Sequence, residues 1–370
     1  MRRSETRKPR PIWTLWGAVL IPAALVVLFE LAKSRPALLA GWVAGGMAPL
    51  EQMLGRLWGQ LPFSVGEVLT ALFLGGSLFG LLRAFIRLGR DGAGRFFRRL
   101  LALVAAWMWL WAGFCWLWNA AYYAPGFQQR SGLEGGACSV EELAEVTALY
   151  ARRAAELSAQ VPRTEDGGFQ KDTDGWFRAA ETLYENISAE FPCLAADTGR
   201  AKPIVCSRLQ SLLGFTGVYF PFTGEANVNV DAPACLIPAT IAHELSHQRM
   251  VASENEANFV GIAACLASGD PIFAYSGALQ GLILLSNALY SADPDQWQVI
   301  LQQYFTQELS RDWTDNNAYW AALESPVEKK AGQTYDAFLK QNDQELGMRS
   351  YGACVDLLVA WERTKNETKR

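Results

Sequence analysis

Two histidines occur in the 370-residue chain, and both lie in one stretch, Thr240 to Asn258, which reads TIAHELSHQRMVASENEAN. His243, Glu244 and His247 form an H-E-x-x-H pattern, with Glu254 and Glu256 just downstream. On a helix turning about 100° per residue, positions four apart share a face, so both imidazoles can reach one ion. Zinc favours such nitrogen donors, and a catalytic site adds a third protein ligand while keeping one position open for water. Glu244 falls beside that water, where a carboxylate can act as general base. Accident is a poor rival account, since two histidines four apart with a glutamate after the first should arise roughly a few times in ten thousand such chains. One Zn2+ ion is therefore the expected cofactor, with Ile241, Ala242 and Leu245 burying the helix beside it.

The third ligand follows from geometry. Glu254 lies seven residues past His247, about 10 Å along a straight helix. Zinc–ligand bonds are only about 2 Å, so one straight helix cannot supply all three ligands and the chain must turn. Ser253 followed three residues later by Glu256 reads as a capping box, which starts a new helix at Glu254. That assigns Glu256 to the cap and leaves Glu254 to face back toward the metal, so Glu254 is preferred over Glu256. Asn258, one turn further on, is placed to orient a ligand by hydrogen bonding. The plainer alternative is that both carboxylates only favour a helix N-terminus electrostatically.

The elements that must position this site fall into two unlike parts. The chain is 51% hydrophobic with a mean hydropathy just above zero, and that average conceals a membrane segment. Residues 1–11 are a basic tail, with five basic side chains and one glutamate in MRRSETRKPR. Residues 12–123 read as a membrane domain with three transmembrane helices, about 12–32, 63–86 and 100–121. The first lacks a small-x-small cleavage site before Lys33, which argues against a removed signal peptide. Between the first two spans, residues 34–62 read as an amphipathic or interfacial helix or a re-entrant piece. The Arg87–Arg99 loop carries five arginines, and Tyr122 and Tyr123 close the third span as an interfacial belt. The positive-inside rule puts the tail and this loop in the cytoplasm, so residues 124–370 are expected outside. Topology accounts for the short basic loop better than nucleic acid does. The lipid bilayer is thus an expected partner, and nucleic acid is not.

Residues 124–370 are long enough for one substantial core. Six cysteines lie there (Cys138, Cys193, Cys206, Cys235, Cys265 and Cys354), while Cys115 lies in the third span. They allow up to three disulfides; the alternative is that Cys265 and Cys354, which sit in apolar helical patterns, are packed thiols. Helices are expected over Ser139–Ala159, where Ser139 and Glu142 form a capping box, over Asp174–Glu190, over Pro203–Leu213, and from Asp270-Pro271 and Asp293-Pro294. Further helices are expected at about 312–323, 326–341 and 350–363. The run Gly281–Leu285 is apolar but reads as too short and interrupted for a fourth span. Just before the motif, Val218–Phe220 and Ala226–Val230 read as strands of a small sheet.

A zinc helix followed by E-x-x-A-N at Glu254–Asn258 resembles the gluzincin group of metallopeptidases. The resemblance implies Glu254 as third ligand, with Asn258 standing where that group has an aspartate supporting a zinc-binding histidine. More broadly, PFSVGE at 62–67, PFTGEANVN at 221–229, HELSHQR at 243–249, ENEANF at 254–259 and SYGACVDLL at 350–358 resemble an uncharacterised bacterial family, catalogued as a domain of unknown function. That likeness implies three membrane spans before an outer zinc-peptidase-like domain. The fold expected is mainly α, three transmembrane helices followed by an α+β, gluzincin-type extracytoplasmic domain with a small β-sheet. In gluzincins an edge strand beside the zinc binds the substrate backbone, and Gly224–Val230 is expected in that role, with Asn227 or Asn229 adding side-chain hydrogen bonds; an ordinary hairpin is the alternative.

The activity expected is metal-assisted hydrolysis of a peptide or protein substrate by a multi-pass membrane protein. His243, His247 and Glu254 hold the zinc, and Glu244 takes the water proton and passes it to the leaving amine. Tyr219, Tyr275, Tyr351 and Arg208 are unranked candidates for stabilising the oxyanion. Two other classes compete. A catalytically silent zinc-binding receptor or scaffold has no need of Glu244, and a protease cutting inside the bilayer sits poorly with the polar run Gln248, Arg249 and Ser253 after the motif.

Overall fold

The computed structural model describes residues 13–341 and 351–368. The basic tail and Ser350 lie outside the described residues, as does the Tyr351 side chain. Within them the protein is mainly helical, with one three-stranded sheet.

Helix Trp13–Ala32 packs along helix Ala93–Phe114, which continues through a wider, π-type turn at Cys115–Asn119 to Tyr122. Indole N–H groups tie this region together. Trp42 donates to the Trp116 carbonyl at 2.7 Å, and Trp116 donates to that of Leu25 at 3.0 Å. In an apolar setting each such donor needs an acceptor, since an unpaired one is costly. The segment read as interfacial is helical, Pro36–Trp42 and Ala48–Gly59 joined by a π-type turn, and Glu51 and Gly55 are buried on its inner face.

Among the described residues, three helices are long and apolar enough to cross a membrane, Val65–Ile86, Ala93–Tyr122 and Pro271–Ala292. The first two expose their apolar faces along most of their length, as lipid-facing helices do. Pro271–Ala292 is one uninterrupted helix, where a short and interrupted segment was expected, and it qualifies by length and composition alone. Its most apolar window is 67% buried by protein, packed against helices Val140–Ser158, Glu254–Ala267, Ile237–His247 and Tyr351–Thr368. Apolarity all round marks either a span or a core helix, and here the neighbours make it the core. Helix Trp13–Ala32 has its described side chains over Trp16–Ala32, an apolar stretch shorter than the other three.

Helix starts follow local capping chemistry. Ser139 and Glu142 form a reciprocal capping box at Val140–Ser158. Asp270 accepts from the Ile272 N–H at 2.7 Å, and Asp293 accepts from the Gln296 N–H at 3.0 Å, with a proline at the first helical position in both. Asp174–Glu190 is not one helix but Thr173–Ala179 and Glu185–Glu190 around a 3-10 turn. Pro203–Leu213 is a short strand followed by helix Ser207–Leu212.

The sheet comprises β1 (Lys202–Pro203), β2 (Gly217–Phe220) and β3 (Glu225–Val228), in the order β1-β3-β2. β3 runs parallel to β1 and antiparallel to β2, with Gly217 opposite Val228 and Phe220 opposite Glu225. β3 is therefore the central strand and fully buried, which overturns its expected role as a substrate edge. Asn227 and Asn229 are turned inward. Asn227 Nδ2 donates to the Glu225 carbonyl at 3.1 Å, and Asn229 Nδ2 donates to Ser211 Oγ at 2.8 Å and the Phe215 carbonyl at 2.9 Å. The unpaired edges among the described strands belong to β1 and β2.

The sheet is locked to the first turn of the apolar helix Val65–Ile86. Glu225 accepts from the Val65 and Gly66 N–H groups at 3.1 and 2.7 Å, from Lys202 Nζ at 2.7 Å and from Thr223 Oγ1 at 2.7 Å. These are orphan helix-start donors, and a carboxylate also suits the positive end of the helix dipole. All seven cysteines are free thiols; Cys115, Cys235, Cys265 and Cys354 are buried, Cys138 and Cys193 are partly buried, and Cys206 is exposed.

Candidate metal centre

The motif lies on helix Ile237–His247, with Glu254 at the start of helix Glu254–Ala267 packed beside it. The chain reverses between them by a Schellman-type turn. The Val251 N–H donates to the Ser246 carbonyl at 3.3 Å, and Met250 takes φ +59°. Met250 is the one non-glycine residue with positive φ among the described residues. Such a conformation costs about 1–2 kcal/mol, so neighbours must enforce it. Arg130 does so, donating to the Arg249 carbonyl at 3.3 Å and the Met250 carbonyl at 3.1 Å.

Ser253 occupies the N-cap position, but its side chain makes no cap bond, so the expected capping box is not formed. Glu256 instead accepts from the Phe127 and Gln128 N–H groups at 2.7 and 3.0 Å, capping helix Phe127–Ser131. Glu256 is thus committed elsewhere, though to a different helix from the one expected, and Glu254 turns toward the histidines.

His243 Nε2 and His247 Nε2 lie 3.2 Å apart, and Glu254 Oε2 lies 3.2 Å from His243 Nε2. Glu254 Oε1 is 3.9 Å from His247 Nε2, and one donor atom from each residue falls within 4.8 Å of the others. The outer ring nitrogens are engaged. His247 Nδ1 is 2.7 Å from the Val251 carbonyl, which can only accept, so Nδ1 carries the proton and Nε2 bears a lone pair. His243 Nδ1 lies 3.0 Å from Asn258 Oδ1, an arrangement that turns its Nε2 lone pair inward too. Two such lone pairs at 3.2 Å repel unless a proton or cation sits between them. Tetrahedral bonds of about 2.0–2.1 Å would separate neighbouring zinc donors by roughly 3.3 Å, close to both short spacings. Two imidazoles and a carboxylate therefore fit a zinc ion in donor type and spacing.

Tyr335, on helix Pro326–Gln341, donates to Glu254 Oε1 at 2.6 Å. Burial pushes the Glu254 carboxyl up, but the His243 hydrogen bond and both imidazoles outweigh it and hold the group down at about 2. Burial pushes His247 down to about 4. Glu244 is buried, has no partner for Oε2, and is pushed up to about 8, mainly by burial, with a smaller contribution from Glu254. Gly217 of β2 lies directly against Glu244 Oε1, where a Cβ would clash.

These groups share a cavity of about 630 Å3. One wall comes from the end of helix Ala93–Tyr122, through Phe114, Trp118 and Tyr122, and another from Gly217–Tyr219 of β2. The Trp118 ring stands edge-on to His247 at 5.4 Å between centroids. Tyr335 and Tyr122 are wall residues that sequence spacing does not single out, because each meets the site from a distant segment.

The candidates for stabilising an oxyanion separate clearly. Tyr219 borders the cavity, with its hydroxyl donating to Glu51 at 2.6 Å. Tyr275 is buried in the core and donates to Asp312 at 2.5 Å, and Arg208 is exposed and paired with Asp231 at 3.3 Å. Gln248 and Arg249 of the polar run after the motif do not face water. Gln248 is buried and donates to the Gly224 carbonyl at 2.8 Å, and Arg249 stacks on Tyr184 with 3.7 Å to the ring centroid.

No curated protein and no solved structure matches the chain. A family model does match, over residues 45–359, a span that takes in the second and third apolar segments, the sheet, the motif and the cavity walls. The chain belongs to the family described as Protein of unknown function (DUF3810).

Proposed function

We propose that this protein is a membrane-anchored, zinc-dependent metallopeptidase that hydrolyses peptide bonds outside the cytoplasmic membrane, with a gluzincin-like site. The observation that carries the reading is the convergence in one cavity of three zinc-type donors and a buried carboxylate, Glu244, with a free oxygen. A purely structural site would close its fourth position and would not set an unpartnered carboxylate beside it.

His243, His247 and Glu254 hold the ion, with Asn258 and the Val251 carbonyl fixing the two imidazole rings. Bound zinc supplies Lewis-acid polarisation of a carbonyl and a lowered pKa for water. Glu244 Oε2 accepts the water proton and returns it to the leaving amine. Its burial suits this, because a poorly solvated carboxylate holds a proton more readily than an exposed one. The Tyr122 hydroxyl on the cavity wall, which accepts from the Trp118 indole at 3.2 Å, can donate to negative charge developing on the carbonyl oxygen. The peptide lies along the outer edge of β2, whose backbone groups can add a strand, and Gly217 keeps that edge close to Glu244.

The test is zinc content and hydrolysis by the full-length protein in lipid nanodiscs. About one zinc per chain and cleavage of a degenerate peptide library are expected, with Glu244→Gln keeping the zinc and losing the cleavage. Stoichiometric zinc without Glu244-dependent cleavage would favour a silent receptor or scaffold, and failure to bind zinc would refute both.

A further inference from the structure

We infer that the cavity receives its peptide from the membrane surface, so that its substrates are polypeptides anchored in the bilayer and cut in the stretch that emerges from it. This rests on the peptidase reading above and names the substrate class for that site.

The first observation is the cavity wall. Phe114, Trp118 and Tyr122 belong to the last turns of an apolar helix whose preceding turns expose Trp107, Trp109 and Trp111. Trp118 precedes Tyr122 by one turn, about 6 Å of helix, and its ring touches the His247 ring. The donors therefore stand level with the end of the span. Tryptophan and tyrosine concentrate at that depth because their rings favour the interface.

The second observation lies across the cavity. Val205, Leu209 and Leu212 are 80%, 56% and 42% exposed. Scattered apolar side chains need no explanation, but these adjoin a lipid-facing surface. Glu67, in the first turn of span Val65–Ile86, accepts from the Val205 and Cys206 N–H groups at 2.9 and 2.7 Å. Val68 and Leu69, next along the span, are exposed as well. The short helix Ser207–Leu212 thus rides on the span at its membrane boundary with apolar side chains outward. Its other side meets the cavity at Gln210, followed by Leu213 and Phe215.

The cavity is therefore flanked on two sides by surfaces at interfacial depth. A chain leaving the bilayer meets it within a few residues, whereas a freely dissolved peptide must first reach the lipid surface. Hydrolysis breaks the C–N bond of that emerging segment, and water supplies hydroxyl to the acyl carbon and a proton to the amine. Tethering raises the effective concentration at the site without any new contact.

The test uses the full-length protein in liposomes of phosphatidylethanolamine and phosphatidylglycerol. One degenerate peptide library is offered twice, with an N-terminal palmitoyl chain and with an acetyl group, and Glu244→Gln serves as blank. Cleavage of the palmitoylated series should be roughly tenfold or more faster; equal or faster cleavage of the acetylated series overturns the inference. Independently of catalysis, a photoactivatable benzophenone residue replaces Leu209 or, as control, the exposed Asp295. Lipid adducts are expected at position 209 and not at 295, and their absence at 209 overturns the placement. Lipid adducts at 209 with no cleavage of either series would uphold the placement and overturn the peptidase reading.

Discussion

Glu254 and Glu256 are two residues apart, yet their surroundings predict opposite consequences for the same substitution. Glu254→Gln keeps the side-chain volume and an acceptor for Tyr335 but replaces a charged oxygen at the metal centre. Zinc-finger sites bind with about 10–16 kcal/mol over four ligands, so one ligand carries roughly 3 kcal/mol. That corresponds to about a hundredfold or more in Kd. Glu256→Gln removes the charge from a buried group accepting two backbone N–H bonds at 2.7 and 3.0 Å. Bonds to a charged acceptor contribute about 1.5–3 kcal/mol each, and the amide retains one acceptor oxygen. The expected loss is about 1.5–3 kcal/mol of folding stability with zinc affinity unchanged. Competition against a fluorescent zinc chelator reads the first quantity, and thermal melting of the metal-stripped protein reads the second. The assignment fails if Glu256→Gln weakens zinc as much as Glu254→Gln does, or if Glu254→Gln leaves affinity intact.

Asn258→Ala removes the group that orients His243 and should weaken zinc about 10–100-fold while leaving stoichiometry at saturation unchanged, read by the same competition. Glu225→Ala strands the buried Lys202 and uncaps the start of Val65–Ile86, so about 3–5 kcal/mol should be lost and the 59–64 connection should become protease-sensitive. Glu51 offers a pH test outside the spans. Burial pushes its carboxyl well above the ordinary value of 4.5, against a smaller opposing effect of the Tyr219 hydrogen bond. A raised folded-state pKa gives stability that is fully present below the unfolded value and lost as pH rises toward the folded one. Glu51→Gln cannot lose it, so its melting temperature should gain on wild type as pH rises above the ordinary value of 4.5, and a constant difference would refute the buried proton.

What could be read from the sequence was local. The H-E-x-x-H spacing needs only helical periodicity, and the capping residues Ser139, Asp270 and Asp293 act within one turn of themselves. The approach of Glu254 to the histidines was anticipated, but through a capping box that does not form; the reversal depends on Met250 and on Arg130, which lies 120 residues away from it. Alternation marked β2 and β3 as strands but carries no record of what lies beside a strand. It gives no sign of the parallel partner β1, whose pairing makes β3 central rather than an edge. Gln248 and Arg249 look solvated by type, and only tertiary contacts with Gly224 and Tyr184 bury them. Tyr335 reaches Glu254 across 81 residues from a helix whose pattern signals amphipathicity alone.

The joint between sheet and span has a practical and evolutionary side. A fragment beginning at residue 124 would lack the backbone donors of Val65 and Gly66, the carbonyls of Trp58 and Phe63 that accept from Lys202, and the Trp118 face of the histidine site. It would expose a carboxylate and an ammonium group built to be dry, and it would open one side of the cavity. The apolar helices before residue 124 are thus part of the scaffold rather than a leash. On the proposed peptidase reading, releasing residues 124–370 into solution, by a protease or by gene truncation, should yield an inert remnant, because both the sheet and the histidine site lean on the helices that precede them.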